Sequence, residues 1–354
     1  MSRDARISTI LFVGGALLVG ADAGGQEANP CEGAETNLQV AREALEKGQW
    51  GRAEEFLQPL FMSHPSCSDV VVGLAGLSAA RDDLTEAERL FSRALMLAPE
   101  DAVTHALFAR FQLSRGLQSQ AGYLIAQALA IDPDCPEALV VRGQIMGQRG
   151  LYGEARAVLE KAVALDPTSY EAQHELGVWF FRVNLFEQAA RQFESAIALR
   201  PQRTRSLDYL ALCLEMLGEA ERAERFYREA IKANNGPFFD SSLDFNFGRF
   251  LLKQGRFEES LPFINRAVEL HPQRRGPRYQ RAKWHLAQGD YESARQDAER
   301  ALALGKPGDL VLDLQVYYLL TKIYTRLGET ELARKYAELA RTTEIPDHAA
   351  DRLR

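Results

Sequence analysis

The chain has 354 residues, 46% hydrophobic and 26% charged, with 42 Lys/Arg against 49 Asp/Glu for a formal net charge of −7. That negative balance argues against a nucleic-acid partner, which needs an excess of cations to neutralise its phosphates. Length alone suggests two or three domains, unless an internal repeat overrides that prior.

At the N-terminus, Arg3 and Arg6 precede an apolar stretch from Ile7 to Gly20, then Ala21-Asp22-Ala23. A basic start, a short apolar core and an Ala-x-Ala end describe a secretory signal peptide over 1–23, cleaved after Ala23. The alternative is an uncleaved anchor, for which the apolar stretch is short against the ~20 residues of a membrane span. Asn29-Pro30 before Cys31 do not resemble a lipobox. The expected location is therefore a periplasm or the secreted space, with no transmembrane span in the mature chain. Residues 24–33 read as a short linker.

From residue 34 the chain repeats. Pro65, Pro99, Pro133, Pro167 and Pro201 recur every 34 residues, and each closes a similar phrase, such as Ala-Leu-Ala-Ile-Asp-Pro over 128–133. A fixed period of this kind means one supersecondary unit stacked on copies of itself. With the proline at position 32, repeats start near 34, 68, 102, 136, 170, 204, 241, 275 and 314. Position 8 is small (Ala41, Ala75, Ala109, Gly143, Gly177, Ala211, Gly248, Ala282), except for Thr321, which makes the ninth repeat the weakest match. Position 20 is alanine except for Ser260, and position 27 is alanine except for Leu60. Large residues such as Leu57, Phe91, Leu159 and Phe193 fill position 24. Small residues are needed where two helices approach closely, and large ones fill the space beside them.

Apolar residues recur at helical spacing on both sides of a turn near position 15, marked by Gly48, Gly116, Gly150, Gly218, Gly255, Gly289 and Gly328. The closing proline cannot donate the next backbone hydrogen bond, so it stops the second helix. This combination resembles the tetratricopeptide repeat (TPR) family over roughly 34–346, leaving 347–354 as a tail. The resemblance implies an all-α, right-handed α-solenoid of stacked helix–turn–helix units. The steps into the seventh and ninth repeats are three and five residues too long, and Asn235, Lys306 and Ile345 replace the proline. Those shifts mark longer connections.

Cys31 and Cys67 flank the first repeat, and antiparallel helices bring those points to one end of the unit, so a disulfide is geometrically reasonable. The alternative leaves all four cysteines as thiols; Cys135 and Cys213 are too far apart along the array to meet, and Cys213 suits a small core position. Export permits disulfides.

No catalytic residue, cofactor or metal site is expected. The six histidines form no His-Glu-x-x-His motif, and Gly305-Lys306-Pro307-Gly308 lacks the spacing of a phosphate loop. His64 and His271 read as turn residues. The concave surface carries more. In the resembled fold the first helix of each unit lines the groove, with positions 5 and 9 one helical turn apart. These are mixed in early repeats (Val72 with Gly76, Ala106 with Arg110, Val140 with Gln144). They become aromatic then basic in the last three: Phe245 with Arg249, Tyr279 with Lys283, Tyr318 with Lys322. Asn246 and Gln280 add amides at position 6. The ladder suits an extended peptide with acidic side chains or a free C-terminus; the plainer reading packs the aromatics on the preceding repeat and solvates the cations. The carboxylate-clamp pattern of chaperone-binding relatives is not matched residue by residue.

Charge shifts along the array, from 16 Asp/Glu against 8 Lys/Arg over 24–135 to 9 against 12 over 241–312. Arg274, Arg275, Arg278 and Arg281 cluster in the latter stretch and read as a solvated loop and helix face. The expectation is a non-catalytic scaffold binding protein or peptide segments in its groove. The alternative is an accessory subunit of an envelope enzyme, polysaccharide-export or membrane-assembly complex, docking through its convex face or ends.

Overall fold

The computed structural model describes residues 29–234, 238–305 and 311–343. The expected signal peptide, half of the 24–33 linker and the tail at 347–354 lie outside them, as do Asn235, Lys306 and Ile345. The described residues form eighteen α-helices and no strand. The first helix of each unit is α1 (Glu35–Glu46), α3 (Ser68–Ala80), α5 (Ala102–Ser114), α7 (Pro136–Gln148), α9 (Tyr170–Arg182), α11 (Thr204–Met216), α13 (Leu243–Lys253), α15 (Arg275–Gln288) and α17 (Asp313–Leu327). The second helices are α2 (Trp50–Ser63), α4 (Leu84–Leu97), α6 (Gln118–Ile131), α8 (Tyr152–Leu165), α10 (Phe186–Leu199), α12 (Ala220–Ala233), α14 (Phe257–Leu270), α16 (Tyr291–Ala303) and α18 (Thr330–Thr342). The helices divide into two compact units, one ending at Asp240 with six repeats and one starting at Ser241 with three. Within each unit, a helix pair packs on the pair that follows.

The turn between paired helices has one solution throughout. The N–H after the turn residue reaches back to a carbonyl five residues earlier, as in Leu117 N–H to Gln112 O at 3.0 Å and Leu185 N–H to Phe180 O at 2.9 Å. This Schellman closure needs a left-handed residue. Glycine supplies it in seven repeats; Asp82 (φ 64°) and Asn184 (φ 60°) supply it in the two that lack glycine. Asp83, Asp101, Ser169 and Asp290 cap helix starts by accepting backbone N–H groups.

Close helix approach explains the small residues. A Cβ on Gly143 would lie 2.5 Å from Leu159 Cγ, one on Gly177 2.8 Å from Phe193, and one on Gly248 2.9 Å from Ile264. Each is position 8 meeting position 24 of its own repeat. The position-20 alanines from Ala53 to Ala223 are fully buried, and Ser260 fits among them by donating its hydroxyl to Phe257 O. Thr321 does likewise, turning its hydroxyl onto Tyr317 O at 2.8 Å, so the ninth repeat closes despite the larger side chain.

Cys31 and Cys67 are joined by a disulfide, with Cα atoms 4.8 Å apart. Beside it, His64 Nε2 donates to Glu32 O and Nδ1 meets Ser63 Oγ, tying the end of α2 to the segment before α1. His271 repeats the device by donating to Ser241 O at 3.1 Å. Cys135 and Cys213 are buried thiols whose pKa values burial pushes up to about 12. Neither is poised as a nucleophile.

The arginine cluster departs from expectation. Arg274 is exposed, but Arg275 is buried, donating to Ala301 O, Leu302 O and Val311 O and pairing with Asp313. It thereby satisfies last-turn carbonyls of α16 and ties them to the residues just before α17. Arg278 and Arg281 both pair with Asp297, itself only 5% exposed. Three of the four are therefore structural ion-pair and capping residues rather than a solvated face.

One feature of the first unit links distant repeats. Arg200, after α10, pairs with Glu46 at the end of α1 at 2.7 Å, and Gln202 donates to Glu46 O. Trp50 meets Phe238 edge-on, with centroids 6.0 Å apart. The six repeats thus curve until the first touches the fifth and sixth.

Candidate functional site

In the second unit, α13, α15 and α17 carry the expected ladder. Phe245 is half-buried, its ring 3.2 Å from where a Cβ on Gly276 would sit, so it lies against the start of the following repeat. The packing partner expected of the aromatics was the preceding repeat; here it is the next one. Tyr279 sits beneath Lys283, whose Nζ is 5.8 Å from the ring centroid. Tyr318 is 55% exposed, and Lys322, one turn on, is exposed too. Burial raises the Tyr279 phenol pKa.

Lys283 lies within electrostatic range of both Arg249 and Lys322. Lys283 is exposed, yet its pKa is lowered, first by partial desolvation and then by the charges of Arg249 and Lys322. Beside them, Gln280 is 6% exposed and its Oε1 has no hydrogen-bond partner among the described residues. Asn246 is half-buried on α13. This is an aromatic and cationic surface, suited to an anionic chain.

The first unit holds a second polar cleft that the sequence reading passed over. Two adjoining cavities, about 40 and 180 Å³, share walls of Arg110, Gln144, Glu175 and Arg205. The smaller adds Tyr170, Glu171, His174, Arg203, Phe238 and Asp240; the larger adds an apolar floor including Leu159, Val178 and Trp179, with Arg182 at its side. Arg203 lies 3.8 Å from the Phe238 ring centroid, and Thr204 donates to Phe238 O. Burial holds the His174 pKa well below the usual value, with Arg205 and Arg203 acting in the same direction, so its ring is neutral. Burial raises the pKa of Glu171 against the opposing pull of Arg110 and Arg203. Arg110 and Gln144 were visible as position-9 residues, but their setting depends on how α5, α7, α9 and α11 converge. The signal available in sequence was polar residues at successive groove positions: Arg110, Gln144, His174 and Arg205.

No group of three or more His, Cys, Asp or Glu among the described residues is placed to hold a metal ion. No helix among them is long and apolar enough to cross a membrane.

Stacked helix pairs of similar length, closed by one turn type and grooved along their first helices, define a helical-repeat interaction scaffold. Tetratricopeptide repeat profiles match residues 44–111, 136–179, 175–237, 245–274 and 279–349. The chain belongs to the tetratricopeptide repeat family. Comparison with curated proteins yields no match. Among solved structures, the APC/C hetero-tetramer Cut9–Hcn1 matches with a TM-score of 0.71 at 16% identity, over 84% of this chain and 57% of that one. A human IFIT1 dimer with PPP-AAAA matches with a TM-score of 0.57 at 18% identity, over 87% of this chain and 72% of that one. At such identities the likeness is one of fold.

Proposed function

We propose that this protein is a non-catalytic scaffold of the periplasm or secreted space, and that α13, α15 and α17 hold an extended acidic protein segment or a free C-terminus. The observation that carries the reading is Lys283 over the Tyr279 ring, 5.8 Å from its centroid and within the field of Arg249 and Lys322, in a series of aromatic and cationic residues one turn apart on three first helices. Like charges gathered on a surface raise the local potential and favour an anionic partner. The rings add rigid apolar area beside them. Fluorescence anisotropy with acidic peptides, each with a free and an amidated C-terminus, tests the reading; equal binding of a lysine-rich peptide would sink it.

Export is supported by the N-terminal pattern and by the Cys31–Cys67 bridge, a bond at home in oxidising compartments. N-terminal sequencing of the native protein should find a start near Gly24; an intact Met1 or Ser2 would favour the anchor.

A specific observation favours a second reading for the first unit. On its outer helices, Met62 of α2 and Met96 of α4 are 80% and 77% exposed, one repeat period apart. Such residues suit docking by the convex face to a larger envelope assembly. Methionine-to-glutamate changes at both sites should then release a co-purifying partner without affecting peptide binding.

A further inference from the structure

The cleft in the first unit has walls of unusual composition for a structural core. Arg110, His174 and Arg203 are each 5% exposed or less, yet Arg110 Nε, His174 Nε2 and Arg203 Nε lack hydrogen-bond partners among the described residues. Gln144 Oε1 is a fourth such atom. Buried polar groups are ordinarily paired, and those that are not call for an explanation. All four residues line the smaller cavity, and two of them line the larger as well.

Their polarity specifies what would satisfy them. Ser206 Oγ donates to the Tyr170 hydroxyl at 2.9 Å and sits 2.9 Å from His174 Nδ1. With its single proton committed, Ser206 accepts from Nδ1–H, which leaves Nε2 a bare acceptor. Gln144 Oε1 is also an acceptor, whereas the two arginine Nε–H groups are donors. The complement therefore carries both acceptor oxygens and an N–H donor. Arginine selects planar carboxylate or phosphate oxygens. The charge balance separates those two. Four arginines (110, 182, 203 and 205) face Glu171, Glu175 and Asp240 across the two cavities, a formal surplus of one positive charge with every group ionised. A monoanion balances that surplus; a phosphate dianion would meet the neighbouring glutamates. The larger cavity, floored by Leu159, Val178 and Trp179, offers space for an apolar side chain.

We propose that this cleft binds an α-amino-acid group, with its carboxylate on Arg110, its N–H facing His174 Nε2 and Gln144 Oε1, and an apolar side chain in the larger cavity. The site is independent of the groove in the second unit. The same chemistry is found in a free amino acid and in the last residue of a chain, and the experiment distinguishes the two.

Isothermal titration calorimetry on the purified full chain should compare leucine, methionine and phenylalanine with their carboxamides, and an N-acetylated dipeptide ending in leucine with its amide. Binding of a free amino acid but not its amide identifies a small-molecule site. Binding of the dipeptide acid alone identifies a chain end. Arg110→Gln should weaken the complex at least about tenfold, as expected for loss of a charged hydrogen bond. Should that variant fail to fold, Gln144→Leu at its half-exposed position carries the test, again with weakened binding and unchanged helical content. Amides that bind as well as the acids, no heat from any of these probes, or folded variants that retain full affinity would overturn the assignment.

Discussion

The helix spacing inferred from position 8 can be tested with a single chemical change made at two glycines. Gly143 on α7 and Gly122 on α6 both lie within helices. A Cβ on Gly122 meets nothing within 4 Å, so alanine there should add only its helix propensity, about 1 kcal/mol of stability. The same Cβ on Gly143 would stand 2.5 Å from Leu159 Cγ and 2.6 Å from Cδ2. That is about 1 Å inside ordinary carbon–carbon contact. Leu159 is 2% exposed and the overlap reaches its Cγ as well as its methyl groups, so the side chain must be forced towards the cavity it lines or the helices must part. Overpacking of this kind costs about 1–3 kcal/mol, which outweighs the propensity gain. The two variants should differ by about 2 kcal/mol, or roughly 4–8 °C in melting midpoint for a unit of this size. Thermal melts by far-UV circular dichroism would report the midpoints. Hydrogen exchange in α7 and α8 would localise the effect, because repeat arrays need not unfold in one step. Should Gly143→Ala stabilise as much as Gly122→Ala, the close approach is wrong.

Three further outcomes follow from individual contacts. Cys67→Ser opens a link spanning 36 residues, worth about 4 kcal/mol by loop entropy, and should raise exchange in α1 and α2 while sparing α15 to α18; unchanged protection in α1 would refute it. Arg275→Ala leaves three carbonyls without their donor and should destabilise the last two repeats by about 3 kcal/mol or more, as read from proteolysis after Ala303; an unaltered cleavage rate would contradict the capping role. The lowered pKa of Lys283 means that its charge opposes folding: the penalty is complete below the folded pKa and is relieved as pH climbs towards the unfolded value near about 10.4. NMR of methyl-labelled lysines should find Lys283 titrating below that value and moving upward when an acidic peptide binds; titration at or above it in the free protein would contradict the clustering.

Much of this architecture can be read from spacing. Proline, glycine and alanine recur because a stop, a left-handed turn and a close approach are local demands, each tied to one residue type. Asp82 and Asn184 show the limit of that rule, taking the left-handed position without glycine. The arginines at 275, 278 and 281 look like solvent-facing charges in sequence, since their carbonyl and Asp297 partners lie 16 to 36 residues away. The Glu46–Arg200 pair and the cleft around Arg110 depend on curvature accumulated over several repeats, which no single repeat encodes. For the ladder, sequence indicated which residue types occupy positions 5 and 9. It did not indicate that Phe245 turns towards Gly276, or that Lys283 shares its field with Arg249 and Lys322.

The central claim is that cations on α13, α15 and α17 recognise an acidic chain. Its most direct test is equilibrium binding of an acidic peptide to the protein and to the Arg249→Glu, Lys283→Glu double variant, at low and at physiological salt. Charges at a groove surface are screened over about 8 Å at physiological ionic strength, so the native complex should weaken as salt rises. The double variant should lose binding at both salt concentrations while keeping its helical content and melting midpoint. Undiminished binding by the double variant would show that these side chains are only a packed and solvated face.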